Sequence, residues 1–431
     1  MDKPWEYFDN RIRSASLSKR YLPFTKISDI VKPAILDSLF RQEAINDNRV
    51  IYVHIPFCNN ICPFCIYHKQ RINDNVTISA YCNAVIKQIH LLSPAIWLNS
   101  APFKVIYFGG GTPTSIPVEY LESIIMAVKQ SYPLTDDCEI TVESTISDIT
   151  PEMVLRLKNA GVNRISLGIQ TFNSSLRKTL GRSADHQKIA DTIAFISQNG
   201  ISNICIDLIY NLKGQNFDLW QNDLSLLRAN PITGCSVYPL VSASDREIPN
   251  SEKPKESLEM EYNYFIEADN RLVENIGWDR FTSVQYGHQD KGKAVYVTAQ
   301  GQNADVLAFG SGAAGRINNF NYIQTGNIVE YIKGSGDFMN DSITFMTIQD
   351  SFLKYREIYS LSESLRINNY TYQGLKDYFD DIISKLIHNG LIVSKDDSIC
   401  LTQAGRFWAG NISELFTQRI RDLFLLNEKR T

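Results

Sequence analysis

Between Arg49 and about Pro239, apolar and β-branched runs alternate with helix-length amphipathic segments. The runs have the length of strands, and turn-forming residues separate them from the amphipathic segments. Six strands are predicted: Val50–Ile55, Lys104–Phe108, Glu139–Glu143, Asn163–Gly168, Asn203–Ile209 and Gly234–Leu240. Six strand–helix units in series predict an α/β fold, a parallel sheet curled into a partial, TIM-like (β/α)6 barrel. In parallel barrels the chemistry gathers at the C-terminal ends of the strands.

The patterns on either side of this barrel differ from it. We expect four parts: an N-terminal extension at 1–48, the (β/α)6 core at 49–241, a substrate-side closing region at 242–340 and a C-terminal domain at 341–431. The extension contains a helix-like stretch from Ile30 to Ala44. The closing region begins with a polar, Pro-containing connection at 242–255, predicted to be mobile, before a helix from about Glu256 to Ile276.

The C-terminal part combines helices with a short hairpin. Helical patterns at Asp350–Leu361 and Tyr372–Asn389 precede two short strand-like runs that are separated by a turn at Lys395–Ser398, and a final helix follows. This order predicts a mostly helical, winged-helix-like domain. Because the charge balance is not basic, we expect this domain to cap the barrel and not to bind nucleic acid.

Three cysteines lie close together just after the first predicted strand. Cys58, Cys62 and Cys65 have the spacing C-x3-C-x2-C in a short loop, where three thiolates can converge on one inorganic cluster. A structural zinc ion takes four N or S ligands, whereas a [4Fe–4S] cube held by three cysteines keeps one iron open for a small molecule. On spacing alone, a zinc site completed by His54 or His68, or a set of buried thiols, stays possible.

The composition gives no sign of a protein that binds nucleic acid or membranes in general. The chain has 431 residues, of which 44% are hydrophobic, and a formal net charge of −4, so nothing draws it generally to nucleic acid or to an anionic membrane. We expect a cytoplasmic protein without a membrane span, because no leader pattern and no run of about 18 uncharged apolar residues occurs. The other cysteines are expected to be free thiols in a reducing compartment: Cys82, Cys138, Cys205, Cys235 and Cys400.

Glycine and acidic residues lie at or near the C-terminal ends of three other predicted strands. The run Gly109–Thr112 lets the backbone approach a ligand closely and presents groups that suit an ammonium and a carboxylate. Glu143 ends an apolar strand, where a carboxylate is costly to desolvate unless it meets a cation. Asp207 could accept hydrogen bonds from both hydroxyls of a ribose. A tight turn for the glycines and a salt bridge to a neighbouring helix for Glu143 are the alternatives.

The stretch Tyr52-Val-His-Ile-Pro-Phe-Cys58, the cysteine spacing and the downstream glycine run together resemble the radical S-adenosylmethionine (SAM) enzymes. The likeness is to the branch of oxygen-independent coproporphyrinogen III oxidase. It implies a [4Fe–4S] cluster on Cys58, Cys62 and Cys65, catalytic roles for Tyr52 and Glu143, and two SAM molecules per site. The implied positions around one SAM are Tyr52, Gly110, Glu143 and Ala314, and those around the other are Phe64, Gly111, Thr112, Gln170, Arg182 and Asp207, with Leu240 a further cofactor-binding position.

Other segments carry a narrower likeness. Cys138–Glu143, Ala160–Arg164, Gln170–Asn173 and Asp305–Arg316 resemble the anaerobic haem-degrading radical SAM methyltransferases, the anaerobilin synthases. The resemblance implies that a radical made from one SAM activates the methyl group of the second, which adds to haem, so that the ring opens and iron leaves without oxygen. Haem or a related tetrapyrrole would be the substrate, and a flavodoxin or ferredoxin the electron donor. The glycine-rich turn within Asp305–Arg316 would close the substrate side.

Two departures from these families bear on the choice of function, and the first of them argues against a coproporphyrinogen III oxidase. Ser144–Ser147 follows Glu143 where coproporphyrinogen III oxidases usually carry Ala-Asn-Pro, and Ile66–Lys69 follows the third cysteine where anaerobilin synthases tend to carry aromatic residues. The alternatives are a coproporphyrinogen III decarboxylase, a class C methylase of another sp2-carbon substrate and a non-enzymatic haem chaperone. Contacts to haem iron or propionates are candidates at His288, Tyr286, His68 and Arg316.

Overall fold

The computed structural model describes residues 3–13, 24–72, 74–241, 255–338, 342–348, 361–368, 375–395 and 398–428. Its strands are β1 (Phe24–Lys26), β2 (Arg49–Ile55), β3 (Phe57–Cys58), β4 (Gln70–Arg71), β5 (Phe103–Gly110), β6 (Leu134–Ser144), β7 (Arg164–Gln170), β8 (Asn203–Tyr210), β9 (Gly234–Pro239), β10 (Asp279–Arg280), β11 (Gln285–Gly287), β12 (Asp305–Phe309), β13 (Ala314–Ile317), β14 (Phe320–Gln324), β15 (Ile343–Ile348), β16 (Arg366–Ile367), β17 (Ile392–Lys395) and β18 (Ser398–Leu401).

The α-helices of the described residues are α1 (Lys32–Phe40), α2 (Asn75–Leu92), α3 (Ile96–Asn99), α4 (Val118–Ser131), α5 (Pro151–Ala160), α6 (Ser174–Thr179), α7 (His186–Gln198), α8 (Phe217–Ala229), α9 (Lys255–Asn270), α10 (Val295–Gly301), α11 (Ile328–Gly334), α12 (Leu361–Ser364), α13 (Leu375–His388), α14 (Gln403–Phe407) and α15 (Ala409–Glu428). None of these helices is both long and apolar enough to cross a bilayer.

Six parallel strands form the predicted barrel. The strands β2, β5, β6, β7, β8 and β9 are neighbours in that order, and every adjacent pair is parallel. Their apolar residues are buried on both faces, as the burial of six of the seven residues of β2 illustrates, because helices cover the outside of the barrel and side chains fill its inside. Each predicted strand overlaps its observed counterpart, so the α/β partial-barrel class is confirmed.

The sheet continues on both sides of the barrel. On one side β12 pairs in parallel with β2, with Val306 opposite Val50, and antiparallel strands β13, β14, β15 and β1 follow. On the other side β11 pairs antiparallel with β9. The described part of this sheet contains 13 strands. The segment read as a glycine-rich turn therefore begins with a buried strand, and the turn follows it at Gly310 and Gly312, both of which have positive φ.

The elements on either side of the barrel are of the predicted type, but their lengths differ from the prediction. The helix predicted from Ile30 to Ala44 is present as the shorter α1, and the helix predicted from about Glu256 to Ile276 is α9, followed by a π-helical turn at Arg271–Asn275. Residues 242–254 of the predicted connection lie outside the described residues.

The C-terminal part is helical with a small sheet. Strands β16, β18 and β17 form a three-stranded antiparallel sheet, and the long helices α13 and α15 pack on each other through Phe379 and Phe416. The helix predicted at Tyr372–Asn389 is α13, and the predicted hairpin joins β17 to β18. Most of the helix predicted at Asp350–Leu361 lies outside the described residues. A mostly helical C-terminal domain is thus confirmed.

One buried carboxylate joins the C-terminal part to the edge of the barrel. Asp269 on α9 accepts hydrogen bonds from Arg280 at 2.6 and 2.9 Å, Tyr286 at 3.0 Å, Gln403 at 2.8 Å and Arg406 at 2.7 Å. Burial by itself raises the pKa of this carboxyl group, but the arginine partners outweigh burial and hold the pKa below its ordinary value.

Replacement of this carboxylate should destabilise the protein strongly. Asp269→Ala leaves two guanidinium groups without their shared partner, and breaking a buried ion pair costs about 3–5 kcal/mol of the free energy of unfolding. Urea denaturation followed by fluorescence measures the loss. Asp279→Ala removes a nearby exposed carboxylate and should change the urea midpoint little. Equal midpoints for the two variants would show that Asp269 does not hold the parts together.

Candidate active site

A cavity of about 490 Å3 lies at the C-terminal ends of the barrel strands. All but one of the predicted site residues line it: Tyr52, Cys58, Cys62, Phe64, Cys65, Gly110, Gly111, Thr112, Glu143, Gln170, Arg182, Asp207 and Leu240. Ala314 does not line the cavity and is exposed at the start of β13. A second hollow, of about 850 Å3, lies against α1 and β14 and contains none of these residues.

The cysteine loop is held in shape by its own backbone. After β2 the chain forms β3, which pairs in parallel with β4 so that Cys58 is opposite Arg71. The Cys65 amide donates to the Cys62 carbonyl at 3.2 Å, and the Lys69 ammonium donates to the Cys65 carbonyl at 2.7 Å. These bonds close the loop, so its three free thiols are presented to one side of the cavity.

The thiols suit a cluster better than a single ion. The described residues contain no group of three or more His, Cys, Asp or Glu side chains placed to surround one metal ion. An iron–sulfur cube takes one cysteine per iron and does not need the thiols to meet at one point. Burial raises the pKa of Cys58 and Cys62, while the positive charge of Arg182 opposes that rise. The zinc alternative therefore lacks the convergent donor set that it needs.

The glycine segment after β5 lies so close to the cysteine loop that side chains cannot fit. Gly110 has φ of +114°, and a Cβ there would lie 2.5 Å from the His54 ring. A Cβ on Gly111 would lie 2.6 Å from the Phe57 carbonyl oxygen. The Gly111 amide donates to the Ile55 carbonyl at 2.8 Å. The segment therefore forms a bare backbone wall beside the thiols, as the approach of a ligand requires.

Glu143 is a half-buried carboxylate whose hydrogen-bond donors are neutral. It accepts a bond from the Tyr107 hydroxyl at 2.6 Å and one from the Gly110 amide at 3.2 Å. Burial raises its pKa to about 7, and the neighbouring Asp207 contributes to the rise. Among the described residues it has no salt bridge to a helix, the alternative that the sequence left open. A carboxylate whose hydrogen-bond donors are all neutral is suited to receive the ammonium of a ligand.

The opposite side of the cavity has polar atoms without partners. The Gln170 side-chain oxygen and the Arg182 Nε are buried and have no hydrogen-bond partner in the described part of the chain. Both side chains lie close to the Cβ position of Gly168, at 3.2 Å for Gln170 and 3.6 Å for Arg182. Leaving such groups unsatisfied costs about 1–3 kcal/mol each, so this side is built for a polar ligand. Arg182 is thus not the exposed helix-end cation that its position after α6 allowed.

Asp207 completes this side of the cavity. Burial raises its pKa to about 6, and a hydrogen bond from Ser236 works against that rise. Its carboxylate lies on the strand next to Gly168, with which it is paired in register. The carboxylate can accept hydrogen bonds from two hydroxyl groups, as a ribose offers.

Tyr52 and His54 link the cavity to the end of the cysteine loop. The Tyr52 hydroxyl lies 2.9 Å from His54 Nδ1, and His54 Nε2 lies 3.0 Å from the His68 carbonyl oxygen. Burial lowers the pKa of His54 to about 4, so the ring is neutral. Since a carbonyl only accepts, we assign the proton to Nε2 and let the Tyr52 hydroxyl donate to Nδ1. Both His54 nitrogens are then engaged, which leaves neither for zinc.

The structure adds a wall that the sequence did not predict. The Tyr296 ring of α10 stacks on Tyr107 and Tyr52, with centroid distances of 4.5 and 5.5 Å and interplanar angles of 24° and 20°. Gln300 of the same helix and Gln285 of β11 also line the cavity. No motif marks α10, but the two-residue periodicity of β11 distinguishes Gln285, which faces the cavity, from Tyr286, which faces Asp269.

The candidates for haem contact are not among the residues that line the cavity. Tyr286 is buried and donates to Asp269, and His288 is exposed. Arg316 Nε donates to the Ala304 carbonyl at 3.1 Å. The exposed His68 ring lies against Gly312, since a Cβ there would be 2.6 Å from its Cδ2. The structure thus gives these four residues other surroundings than the cavity.

Comparison with known proteins identifies the family to which the barrel is similar. The sequence model of the Radical SAM superfamily matches residues 52–227, which cover the barrel from Tyr52 to α8. The chain is 28% identical over 413 residues to the anaerobilin synthase of Escherichia coli O157:H7, which covers 93% of this chain and 92% of that one. It is 26% identical over 380 residues to the heme chaperone HemW of Lactococcus lactis, covering 85% and 96%.

A solved structure shows the same fold. The coproporphyrinogen III oxidase HemN of Escherichia coli superimposes with a TM-score of 0.74 and 20% identity, covering 94% of this chain and 99% of that one. The cofactors of the Radical SAM superfamily, a [4Fe–4S] cluster and SAM, are those expected here, and the three thiols, the bare glycine wall and the unpartnered polar atoms fit them. We conclude that residues 52–227 form a radical SAM domain.

Proposed function

We propose that this protein is a class C radical SAM methyltransferase that methylates haem and opens the porphyrin ring without oxygen, so that iron is released. The observation that supports this most is the similarity to an anaerobilin synthase over 93% of the chain, which extends well beyond the radical SAM domain. It includes β11, α10 and β12, which supply or support the wall of the cavity that no SAM motif explains.

The residues of the cavity have distinct roles in this proposal. Cys58, Cys62 and Cys65 would hold the cluster, which would supply the electron for cleavage of a carbon–sulfur bond of SAM. Glu143 binds the ammonium of a SAM molecule, and Arg182 a carboxylate. Asp207 accepts hydrogen bonds from a ribose. We further propose that two SAM molecules share the cavity, that a flavodoxin or ferredoxin supplies the electron, and that the protein acts in the cytoplasm.

Two relatives motivate alternative functions. The similarity to a heme chaperone over 85% of the chain favours a protein that binds haem without altering it. The fold shared with a coproporphyrinogen III oxidase favours decarboxylation. All of these functions concern tetrapyrroles, so the experiment that tests the proposal has to distinguish binding, decarboxylation and methylation.

Mass spectrometry after anaerobic turnover makes this distinction. Cluster-loaded protein is incubated with SAM, a reductant and haem, and in parallel with coproporphyrinogen III. We expect a haem-derived species heavier by one methyl equivalent, together with released iron. Unchanged haem beside active SAM cleavage would remove the haem assignment, and a product of coproporphyrinogen III that has lost carboxyl groups would favour the decarboxylase.

The raised pKa of Glu143 predicts a pH dependence of SAM binding. Below about pH 7 the free protein carries this carboxyl group protonated, and pairing with an ammonium requires that the proton leave. We therefore expect the affinity for SAM to rise as the pH increases from about 5 to about 7, with Glu143 contributing at most about tenfold per pH unit, and then to level off. Asp207, with a pKa of about 6, adds to the slope at the acidic end.

Equilibrium titration of the cluster-loaded protein with SAM under anaerobic conditions measures this dependence. In Glu143→Gln the amide does not titrate, so the affinity should be weaker and its dependence on pH shallower. A wild-type affinity that stays constant across this range would mean that Glu143 does not pair with the ammonium.

A further inference from the structure

Gln285 of β11 is a buried residue in the wall of the cavity. It is 7% exposed and lines the cavity, and its side-chain oxygen has no hydrogen-bond partner among the described residues. Its backbone, by contrast, is fully engaged: the amide binds the Thr282 hydroxyl at 3.1 Å and the carbonyl accepts from Phe281 at 2.9 Å. The backbone of Gln285 is therefore fixed, while its side-chain oxygen is a buried acceptor without a donor among the described residues.

Gln285 lies on a different strand from the residues of the radical SAM motifs. It lies on β11, opposite Ser236 of β9, which in turn is opposite Asp207 of β8. This row of polar residues leads from the ribose side of the cavity to the antiparallel strand at the edge of the barrel. Gln285 lies outside residues 52–227, the extent of the radical SAM domain. Its neighbour Tyr286 faces away and donates to Asp269.

The chemistry of this wall is aromatic and uncharged. Tyr296 offers a stacked ring, and Gln285 and Gln300 offer amides, while the nearest part of the polar row already carries the carboxylate of Asp207. An amide oxygen beside a carboxylate accepts a hydrogen bond from a donor and adds no charge. A flat conjugated molecule with an N–H or O–H group near its face or edge satisfies both features.

We propose that Gln285 is a specificity-determining residue that contacts the tetrapyrrole substrate and accepts a hydrogen bond from an N–H or O–H group of that ligand, for example a water bound to the haem iron. This inference rests on the proposed function, since it takes the substrate to be haem. It assigns Gln285 to the substrate and not to either SAM molecule.

The test compares haem and SAM binding in Gln285→Met, which has a similar length without hydrogen-bonding atoms. Cluster-loaded protein is titrated anaerobically with haem, followed by the haem absorption band, and separately with SAM. We expect the dissociation constant for haem to rise roughly three- to tenfold, which corresponds to the loss of one hydrogen bond. The affinity for SAM and the iron content should stay as in the wild type. Gln285→Asn has a side chain that is one methylene shorter. Its dissociation constant for haem should lie between those of the wild type and Gln285→Met.

A matched control variant and the wild-type protein distinguish a failure of this inference from a failure of the proposed function. Gln289→Met alters an exposed glutamine four residues away and should bind haem as the wild type does. Unchanged haem affinity in Gln285→Met, or a loss confined to SAM, overturns the assignment. If wild-type protein binds no haem at all, the proposed function itself fails, and the inference fails with it. Should Gln285→Met lose its cluster, the comparison of Gln285→Asn with the wild type decides.

Discussion

Replacing any one of Cys58, Cys62 and Cys65 with alanine is expected to abolish SAM cleavage. In the proposed site each thiol would bind a different iron of the cube, and a cube with two protein ligands would no longer have a stable site in the loop. The loop itself should persist, because its shape depends on bonds that do not involve the thiols, such as that from the Cys65 amide to the Cys62 carbonyl and that from the Lys69 ammonium to the Cys65 carbonyl. Iron and sulfide analysis and the formation of 5′-deoxyadenosine under reducing conditions should both fall to the background of protein-free samples.

The control for this prediction is another free cysteine. Cys400 lies on β18 of the small C-terminal sheet and does not line the cavity. Cys400→Ala should therefore keep its iron, its sulfide and its SAM cleavage. If a loop variant retained full activity, or if Cys400→Ala lost it, the assignment of the three thiols to the cluster would be wrong.

Arg182→Lys is expected to weaken SAM binding by about tenfold to a hundredfold. A lysine keeps the charge but replaces a planar, bidentate donor by a single ammonium, and bonds between charged groups of this kind are worth about 1.5–3 kcal/mol. The Nε of Arg182 is buried and has no hydrogen-bond partner among the described residues, which indicates that the guanidinium can still bind an acceptor on a ligand. Because the positive charge beside Cys58 and Cys62 is retained, the iron content should not change.

Lys178→Arg makes the reverse exchange at an exposed position of α6 and serves as the control. Its affinity for SAM should equal that of the wild type. Wild-type affinity in Arg182→Lys would show that Arg182 does not bind a carboxylate of SAM, while loss of the cluster would show that its role is to support the cysteine loop.

The barrel could be predicted because its strands are buried on both faces. A strand such as β8 is an almost continuous apolar run between helical patterns, and no other arrangement satisfies that order as simply. The cysteine loop and the glycine wall were equally accessible, since a glycine such as Gly110 is required wherever two backbones approach within the width of a side chain. The structure of these elements is therefore determined largely by short stretches of the sequence.

The remaining elements depend on contacts between distant parts of the chain. The strand β12 is a short apolar run beside a glycine turn, and its membership of the sheet is decided by its pairing with β2, more than 250 residues earlier. Likewise, Tyr286 was singled out as a candidate by its residue type, whereas its surroundings are set by Asp269 on a different helix. The cavity wall formed by Tyr296 and Gln285 exists because β11 pairs with β9 at the edge of the barrel and α10 packs against β2 and β5.

The electron paramagnetic resonance spectrum of the reduced cluster, recorded with and without SAM, tests the central claim most directly. The claim is that three thiols hold a [4Fe–4S] cube with one iron free to bind SAM. We predict that anaerobically prepared protein contains the cluster and that SAM changes its spectrum, because a ligand then occupies the fourth iron. A protein without iron and sulfide, or a cluster spectrum that SAM leaves unchanged, would contradict the account.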